Sequence, residues 1–173
     1  LIAFASPGPG VIKPEWVAGM AKDSIVFACS NPTPEIWPWE AAEAGARIVG
    51  TGRSDFPNQL NNSLGFPGIF RGALDVRART ITDEMCLAAA EALALAGEEK
   101  GLEDEHIVPD MQEEGLYARE AAAVGLKAIE QGLARVTLTG EELFNLADVR
   151  IRNARAMVHA MMDEGIILEA PGE

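Results

Sequence analysis

Basic residues are scarce in this sequence: 14 lysines and arginines stand against 27 aspartates and glutamates, giving a formal net charge of −13. A nucleic-acid-binding surface needs positive charge opposite the phosphates, and binding to an anionic membrane needs the same. The charge balance therefore argues against both kinds of partner. A small anionic substrate is still compatible with it, because a few local hydrogen-bond donors can outweigh the overall field.

The sequence also lacks long apolar runs and a targeting segment. No apolar run approaches the ~20 residues that a membrane span requires. Leu1 opens a strand-like run with neither an initiator methionine nor a basic segment before it. We therefore predict no signal peptide and expect the sequence to be the C-terminal part of a longer protein.

Cysteine and histidine are rare, with two of each. Cys29 and Cys86 have neither metal-site spacing nor a disulfide framework, so we expect reduced core thiols and a cytoplasmic setting. His106 and His159 are isolated and are predicted to be surface or packing residues. Since no Ser-His-Asp or Cys-His set can be assembled, the common nucleophilic hydrolases are not indicated.

Three short apolar runs alternate with short helix-like segments in the first third of the chain. The runs are residues 1–5, residues 24–28 and a third that begins at Ile48. Pro14 opens the first helix, and Gly45 closes the second, over residues 39–44. Strand, helix, strand, helix, strand is typical of an α/β fold with a doubly wound parallel sheet.

Polar residues follow each of these predicted strands. Ser6 follows the first, Asn31 the second, and Asn61 and Asn62 come after the third. Ligands of doubly wound sheets bind beyond the carboxyl ends of the strands, so these residues are candidates for a binding site. Two alternatives stay open, because Asn before Pro is a common turn and the asparagine pair could cap the following helix.

Two other features near the third strand have structural interpretations. Arg53 and Asp55 are predicted to form an ion pair rather than a ligand clamp. Gly50-Thr51-Gly52 does not continue as a dinucleotide fingerprint, because Asp55 stands where the third glycine belongs.

The remainder of the chain has helical periodicity. The spacing of Phe66, Ile69, Phe70, Ala73 and Leu74 predicts a core-facing stripe. Further helices are predicted over residues 82–96, stopped by Gly97, and around residues 118–131, with an acidic surface connector at 98–105. Thr139 and Glu142 form a capping box for a last helix that runs to about residue 164. Its methionine-rich end would pack either within the chain or on a second subunit.

Residues 24–36 (SIVFACSNPTPEI) and 47–78 (RIVGTGRSDFPNQLNNSLGFPGIFRGALDVRA) resemble the cofactor-domain end of the bacterial-type malic enzymes. The resemblance is dense over residues 1–96 and looser over 107–135. It implies that residues 1–96 are the C-terminal part of a Rossmann-like NAD(P)-binding domain. Residues 97–173 would then be a helical extension of the same domain.

The resemblance implies oxidative decarboxylation of malate to pyruvate and CO2, with NAD or NADP and Mg or Mn. Asn31 would contact nicotinamide and substrate, Asn61 and Asn62 would bind malate, and Ser6 would lie along the cofactor. The family's lysine base, tyrosine acid, carboxylate metal ligands and glycine-rich turn lie N-terminal to this segment, so no residue here is assigned as catalytic or metal-binding. A homo-oligomer is expected. The alternatives are a malolactic-type enzyme and a truncated, non-catalytic dinucleotide-binding or oligomerisation module.

Overall fold

A computed structural model of the chain describes residues 1–6 and 8–168. The chain divides into two compact units. Unit 1 comprises Leu1–Phe66 and Glu91–Glu113, and unit 2 comprises Pro67–Ala90 and the chain from Glu114 onward.

Unit 1 is built on three parallel strands in the order β1-β2-β3. The strands are β1 (Ile2–Phe4), β2 (Ser24–Ala28) and β3 (Ala46–Thr51). Helices α1 (Pro14–Ala18) and α2 (Pro38–Glu43) join them. The predicted rhythm is confirmed, with β3 starting two residues earlier than Ile48.

The core of unit 1 lies between this sheet and its connecting helices. Val26 and Ala28 of β2 are fully buried, as is Ala41 of α2. A continuous apolar run predicted that β1 would be covered on both faces, yet Ala3 is exposed. β1 is also the edge strand of the described sheet, paired with β2 alone.

A later part of the chain returns to complete unit 1. Helix α4 (Asp83–Lys100) continues through Gly97, which was predicted to end it. The glycine lies against the backbone of the returning loop: a Cβ on Gly97 would come 3.3 Å from the carbonyl oxygen of Ile107. The predicted acidic connector, residues 98–105, is exposed, and within it Asp104 pairs with Arg47 at 3.0 Å.

Unit 2 is helical. It contains α3 (Phe66–Asp75) from its second residue, the first half of α4, α5 (Leu116–Glu130) and α6 (Gly140–Asp163). One of its apolar clusters contains seven buried residues: Val76, Met85, Ala89, Ala122, Val124, Ala128 and Leu143. The predicted capping box is present, since the Glu142 backbone N–H donates to Thr139 Oγ1 at 3.2 Å.

The core-facing stripe predicted for α3 holds for Ile69 and Ala73, which pack partly buried against the core of unit 2, but it is wrong for the other three residues. Phe66, Phe70 and Leu74 are each about half exposed or more, at 49%, 53% and 64%. Gly68 and Gly72 are buried in their place. Small residues face α5 here because the two backbones approach closely, as described below.

Helix α6 is buried only near its start, at Leu143 and Ala147. Residues 152–160 are all exposed, including Met157 at 63%. Within the described residues, no helix is both long enough and apolar enough to cross a membrane.

Candidate functional site

The loops that follow the three strands border two adjoining openings at one edge of the sheet in unit 1. The larger has a volume of about 430 Å³ and the smaller of about 340 Å³. Asn31 and Pro32 line both. Ser6 lines the smaller opening and Asn61 the larger, so residues from three strand ends share one cleft.

Asn31 occupies the centre of this cleft. It follows β2 by three residues, its side chain is exposed, and its peptide bond to Pro32 is cis. An asparagine amide offers two donors and an acceptor without a net charge. It can therefore orient an anionic ligand without a charge of its own.

Asn61 has a structural role as well as a place in the cleft. Its Oδ1 accepts a hydrogen bond from the Ser63 backbone N–H at 3.0 Å, and its Nδ2 donates to the Gly52 carbonyl at 3.0 Å. It thereby caps a short 3-10 turn over Asn62–Leu64. The capping alternative raised from the sequence had placed the asparagine pair at the start of the helix near Phe66 instead. One amide hydrogen is not used in these bonds.

Asn62 begins that turn and is exposed. Among the described residues that line the two openings, Asn62 is not present. The structure thus brings Ser6, Asn31 and Asn61 together and leaves Asn62 beside the cleft.

Arg53 connects the loop after β3 to the loop after β2. Its guanidinium forms a two-pronged ion pair with Asp55, with Nε to Oδ1 at 2.7 Å and Nη2 to Oδ2 at 2.6 Å. Its Nη1 donates to the Pro32 carbonyl at 2.7 Å. The predicted ion pair is confirmed, and it also ties the Asn31 loop to the loop after β3.

The hydrogen bonds from Arg53 hold the pKa of the Asp55 carboxyl below its usual range. Arg53 also lies over the rings of Trp37 and Phe56, 5.8 and 5.6 Å from their centroids. Trp37 stacks on Trp39 with 4.8 Å between ring centroids. These two tryptophans therefore pack on each other.

Asn58, in the loop after β3, has a role that was not predicted. It is buried, and its Nδ2 donates to the carbonyls of Val49 at 3.0 Å and Asp104 at 2.8 Å. Its Oδ1 accepts from the Ile107 backbone N–H at 2.9 Å. Asn58 therefore fastens the loop after β3 to the returning segment. The only hint in the sequence was an asparagine between Pro57 and Gln59.

Glu35 is the second residue that was missed. It is fully buried, and it accepts hydrogen bonds from Ser6 and Ser30. Burial alone would raise the pKa of its carboxyl, but the hydrogen bonds from Ser30 and Ser6 outweigh burial and lower the pKa. The available signal was a lone acidic residue between Pro34 and Ile36 in an otherwise apolar stretch.

The cysteines correct one expectation. Cys29 is half-buried next to β2, but Cys86 is exposed on α4 and is not a core thiol. Burial, assisted by the negative charge of Glu35, raises the pKa of the Cys29 thiol. A thiol with a raised pKa is protonated near neutral pH and is a poor nucleophile.

The remaining titratable candidates do not assemble into a centre. His106 and His159 are both exposed, as predicted. Across residues 1–6 and 8–168, no three His, Cys, Asp or Glu side chains are grouped so that they could hold a metal ion.

A parallel sheet with connecting helices and a cleft at the carboxyl ends of its strands is the arrangement of a Rossmann-type nucleotide-binding domain. A family model described as "Malic enzyme, NAD binding domain" matches residues 4–129. The chain belongs to the malic enzyme family.

Individual relatives agree with this assignment. The bifunctional malic/malolactic enzyme of Bacillus subtilis is 52% identical over 134 residues, which cover 78% of this chain and 33% of the relative. The NADP-dependent malic enzyme of Halomonas elongata is 41% identical, with 74% and 34% covered. The crystal structure of Entamoeba histolytica malic enzyme matches with a TM-score of 0.94 at 50% identity, covering 98% of this chain and 35% of that one. The chain thus spans about a third of the length of these relatives.

Proposed function

We propose that this chain is part of an enzyme that oxidises and decarboxylates malate to pyruvate and CO2 while reducing NAD or NADP. The observation that carries the proposal is the cleft bordered by Ser6, Asn31 and Asn61, one from each strand-end loop of a malic enzyme cofactor domain. Uncharged donors at strand ends can hold a dianion in a fixed orientation.

In this proposal each residue has its own contact. Asn31, which borders both openings, lies between substrate and nicotinamide, and Ser6 lies along the cofactor. The unused amide hydrogen of Asn61 and the exposed amide of Asn62 bind malate oxygens. When bound, NAD or NADP would supply the acceptor for the hydride that leaves C2 of malate.

The segment supplies orientation and leaves the chemistry to other groups. We propose that the Mg or Mn ligands, the base and the acid belong to the other part of the enzyme, since the described residues contain no group of metal ligands. The two free thiols, Cys29 and Cys86, suit a reducing compartment such as the cytoplasm.

The test is an assay of the complete parent protein with malate, a divalent cation, and NAD or NADP. We expect one pyruvate and one CO2 for each reduced cofactor. Asn31→Ala should lower kcat/KM for malate by tenfold or more, because a hydrogen bond to a charged ligand contributes about 1.5–3 kcal/mol. Asn145→Ala, an exposed asparagine on α6, is the matched control and should have no effect. If the parent protein neither reduces the cofactor nor converts malate, the result would contradict the proposal in favour of a non-catalytic module.

A malolactic reaction is a second candidate, favoured by the 52% identity to a relative named for both activities. The same assay separates the two reactions. Lactate without net reduction of the cofactor would identify malolactic chemistry, whereas pyruvate with reduced cofactor would identify malic enzyme chemistry.

We also propose that the parent protein is a homo-oligomer that uses the second half of α6. Met157 and Val158 are 63% and 44% exposed there. Sedimentation of the parent protein should show an oligomer, and Met157→Glu should weaken it. A monomeric wild type would contradict this assignment.

A further inference from the structure

We propose that Glu35 is a positioning residue, a buried carboxylate that holds the loops of Ser6 and Asn31 in the arrangement that binds the ligand. The inference rests on the proposed function, because it names a residue that shapes the same cleft. Neither opening includes Glu35 in its described lining, so it acts through its neighbours and not on the substrate.

The Glu35 carboxylate accepts hydrogen bonds from the loops that follow β1 and β2. Its Oε1 accepts from the Ser6 backbone N–H at 2.7 Å, and its Oε2 accepts from the Ser30 backbone N–H at 3.1 Å. Ser30 Oγ lies 2.7 Å from Oε1 and also contacts the Ser6 carbonyl oxygen. The loop after β1 is therefore joined to the loop after β2 through one side chain.

A backbone hydrogen bond and buried neighbours fix Glu35 in place. Its backbone carbonyl accepts a hydrogen bond from the Ile12 N–H at 3.2 Å, in the segment that leads into α1. Its neighbours Pro34 and Ile36 are buried as well. The carboxylate cannot move away from the serines without disturbing this packing.

The donors around Glu35 require both of its side-chain oxygens to accept hydrogen bonds. A carboxylate has two acceptor oxygens, whereas a glutamine amide has one and turns an NH2 group toward the other side. In Glu35→Gln the Ser6 N–H and the Ser30 hydroxyl would keep an acceptor, but the Ser30 N–H would face a donor. Because Asn31 follows Ser30 directly, this contact between two donors would also displace Asn31 at the centre of the cleft.

The experiment compares wild type, Glu35→Gln and the control Glu43→Gln in the complete parent enzyme. Glu43 undergoes the same substitution on α2 but is exposed. KM and kcat for malate are measured together with amide hydrogen exchange of peptides that cover Ser6 and Ser30. We expect Glu35→Gln to raise KM about tenfold or more, since losing a hydrogen bond to a charged group changes an equilibrium by at least that factor. Exchange should become faster in both peptides, and kcat should change much less.

Each outcome has a distinct meaning. Faster exchange in both peptides with a higher KM supports the positioning role. Faster exchange with an unchanged KM would show that Glu35 only stabilises the fold, and it would overturn the inference, as would unchanged exchange. If the wild-type parent reduces no cofactor with malate, the proposed function fails separately, and the exchange data still decide whether Glu35 joins the two loops.

Discussion

An asparagine can brace the backbone or present its amide to a ligand, and the asparagines after β3 differ in this respect. Asn58 is buried, with both ends of its amide bonded to backbone groups. Asn61 uses part of its amide as a cap and borders the cleft with the rest. Asn62 is exposed beside it. Residue type alone could not separate these roles, because two of the three partners of Asn58 lie 46 and 49 residues away.

This division predicts different consequences for Asn61→Ala and Asn62→Ala in the parent enzyme. Asn61→Ala should lower stability by about 0.5–2 kcal/mol, because a cap is removed. Asn62→Ala should leave stability unchanged but reduce transition-state binding of malate by about 1.5–3 kcal/mol. Urea unfolding and kcat/KM for malate are the two measurements. An unchanged kcat/KM in Asn62→Ala would show that this residue serves the turn alone.

Glu120 in unit 2 is a buried carboxyl of a different kind. It is fully buried, and neither of its oxygens has a hydrogen-bond partner of ordinary geometry among the described residues. Burial raises the pKa of Glu120 to about 8, and the nearby Gly68 amide offsets only part of that rise. The side chain is therefore mostly protonated at neutral pH.

The raised pKa predicts a specific dependence of stability on pH. Above the unfolded pKa of Glu120 the unfolded chain loses this proton while the folded chain keeps it. Stability should therefore fall as the pH rises from about 4.5 and level off once the pH exceeds about 8. Glu120→Gln should abolish this fall and raise the free energy of unfolding by about 3–5 kcal/mol near the alkaline end. Urea titrations across the range test it, with the exposed Glu114→Gln as the control. An identical pH dependence in wild type and Glu120→Gln would contradict the assignment.

At the scale of elements, α3 and α5 owe their close approach to glycine. A Cβ on Gly72 would lie 2.4 Å from the Ala121 carbonyl oxygen and 2.8 Å from Val124 Cβ. A Cβ on Gly68 would come 2.1 Å from Glu120 Oε2. The conflict at Gly72 involves the backbone of Ala121, so it can be relieved only by moving a helix.

Gly72→Ala should consequently destabilise the protein by about 1–3 kcal/mol or more, as overpacking does. Gly19→Ala is the control, because its added Cβ would meet only ordinary contacts of 3.5 and 3.6 Å. Thermal or urea unfolding of both variants measures the difference. Equal stabilities would mean that α3 and α5 can separate without loss.

The helices also show what could be predicted from the sequence. The βαβαβ order, the capping box at Thr139 and the strand-end position of Asn31 followed from local patterns, and the structure has them. The buried face of α3 did not, because periodicity identifies large apolar residues and cannot show that a neighbouring backbone admits only glycine. Glu35 was missed for a related reason: its donor Ser6 lies 29 residues away.

At the scale of the whole molecule, we propose that the chain contains one side of a site. It spans about a third of its relatives, and the described residues hold no group of metal ligands. We expect the purified 173-residue chain to show no malate-dependent reduction of NAD or NADP, even with Mg or Mn. The absorbance of the reduced nicotinamide measures this, with the complete parent enzyme as the positive control. Measurable turnover by the chain alone would place acid, base and metal ligands within it and contradict the proposal.

The bonds of Asn58 to Asp104 and Ile107 have a consequence for the order in which the cleft is made. During synthesis the three strands leave the ribosome well before the segment that satisfies this amide. A nascent chain that ends near residue 96 could therefore pair its strands while the loop after β3 still lacks its fastening. The ligand cleft is thus completed after the sheet that supports it.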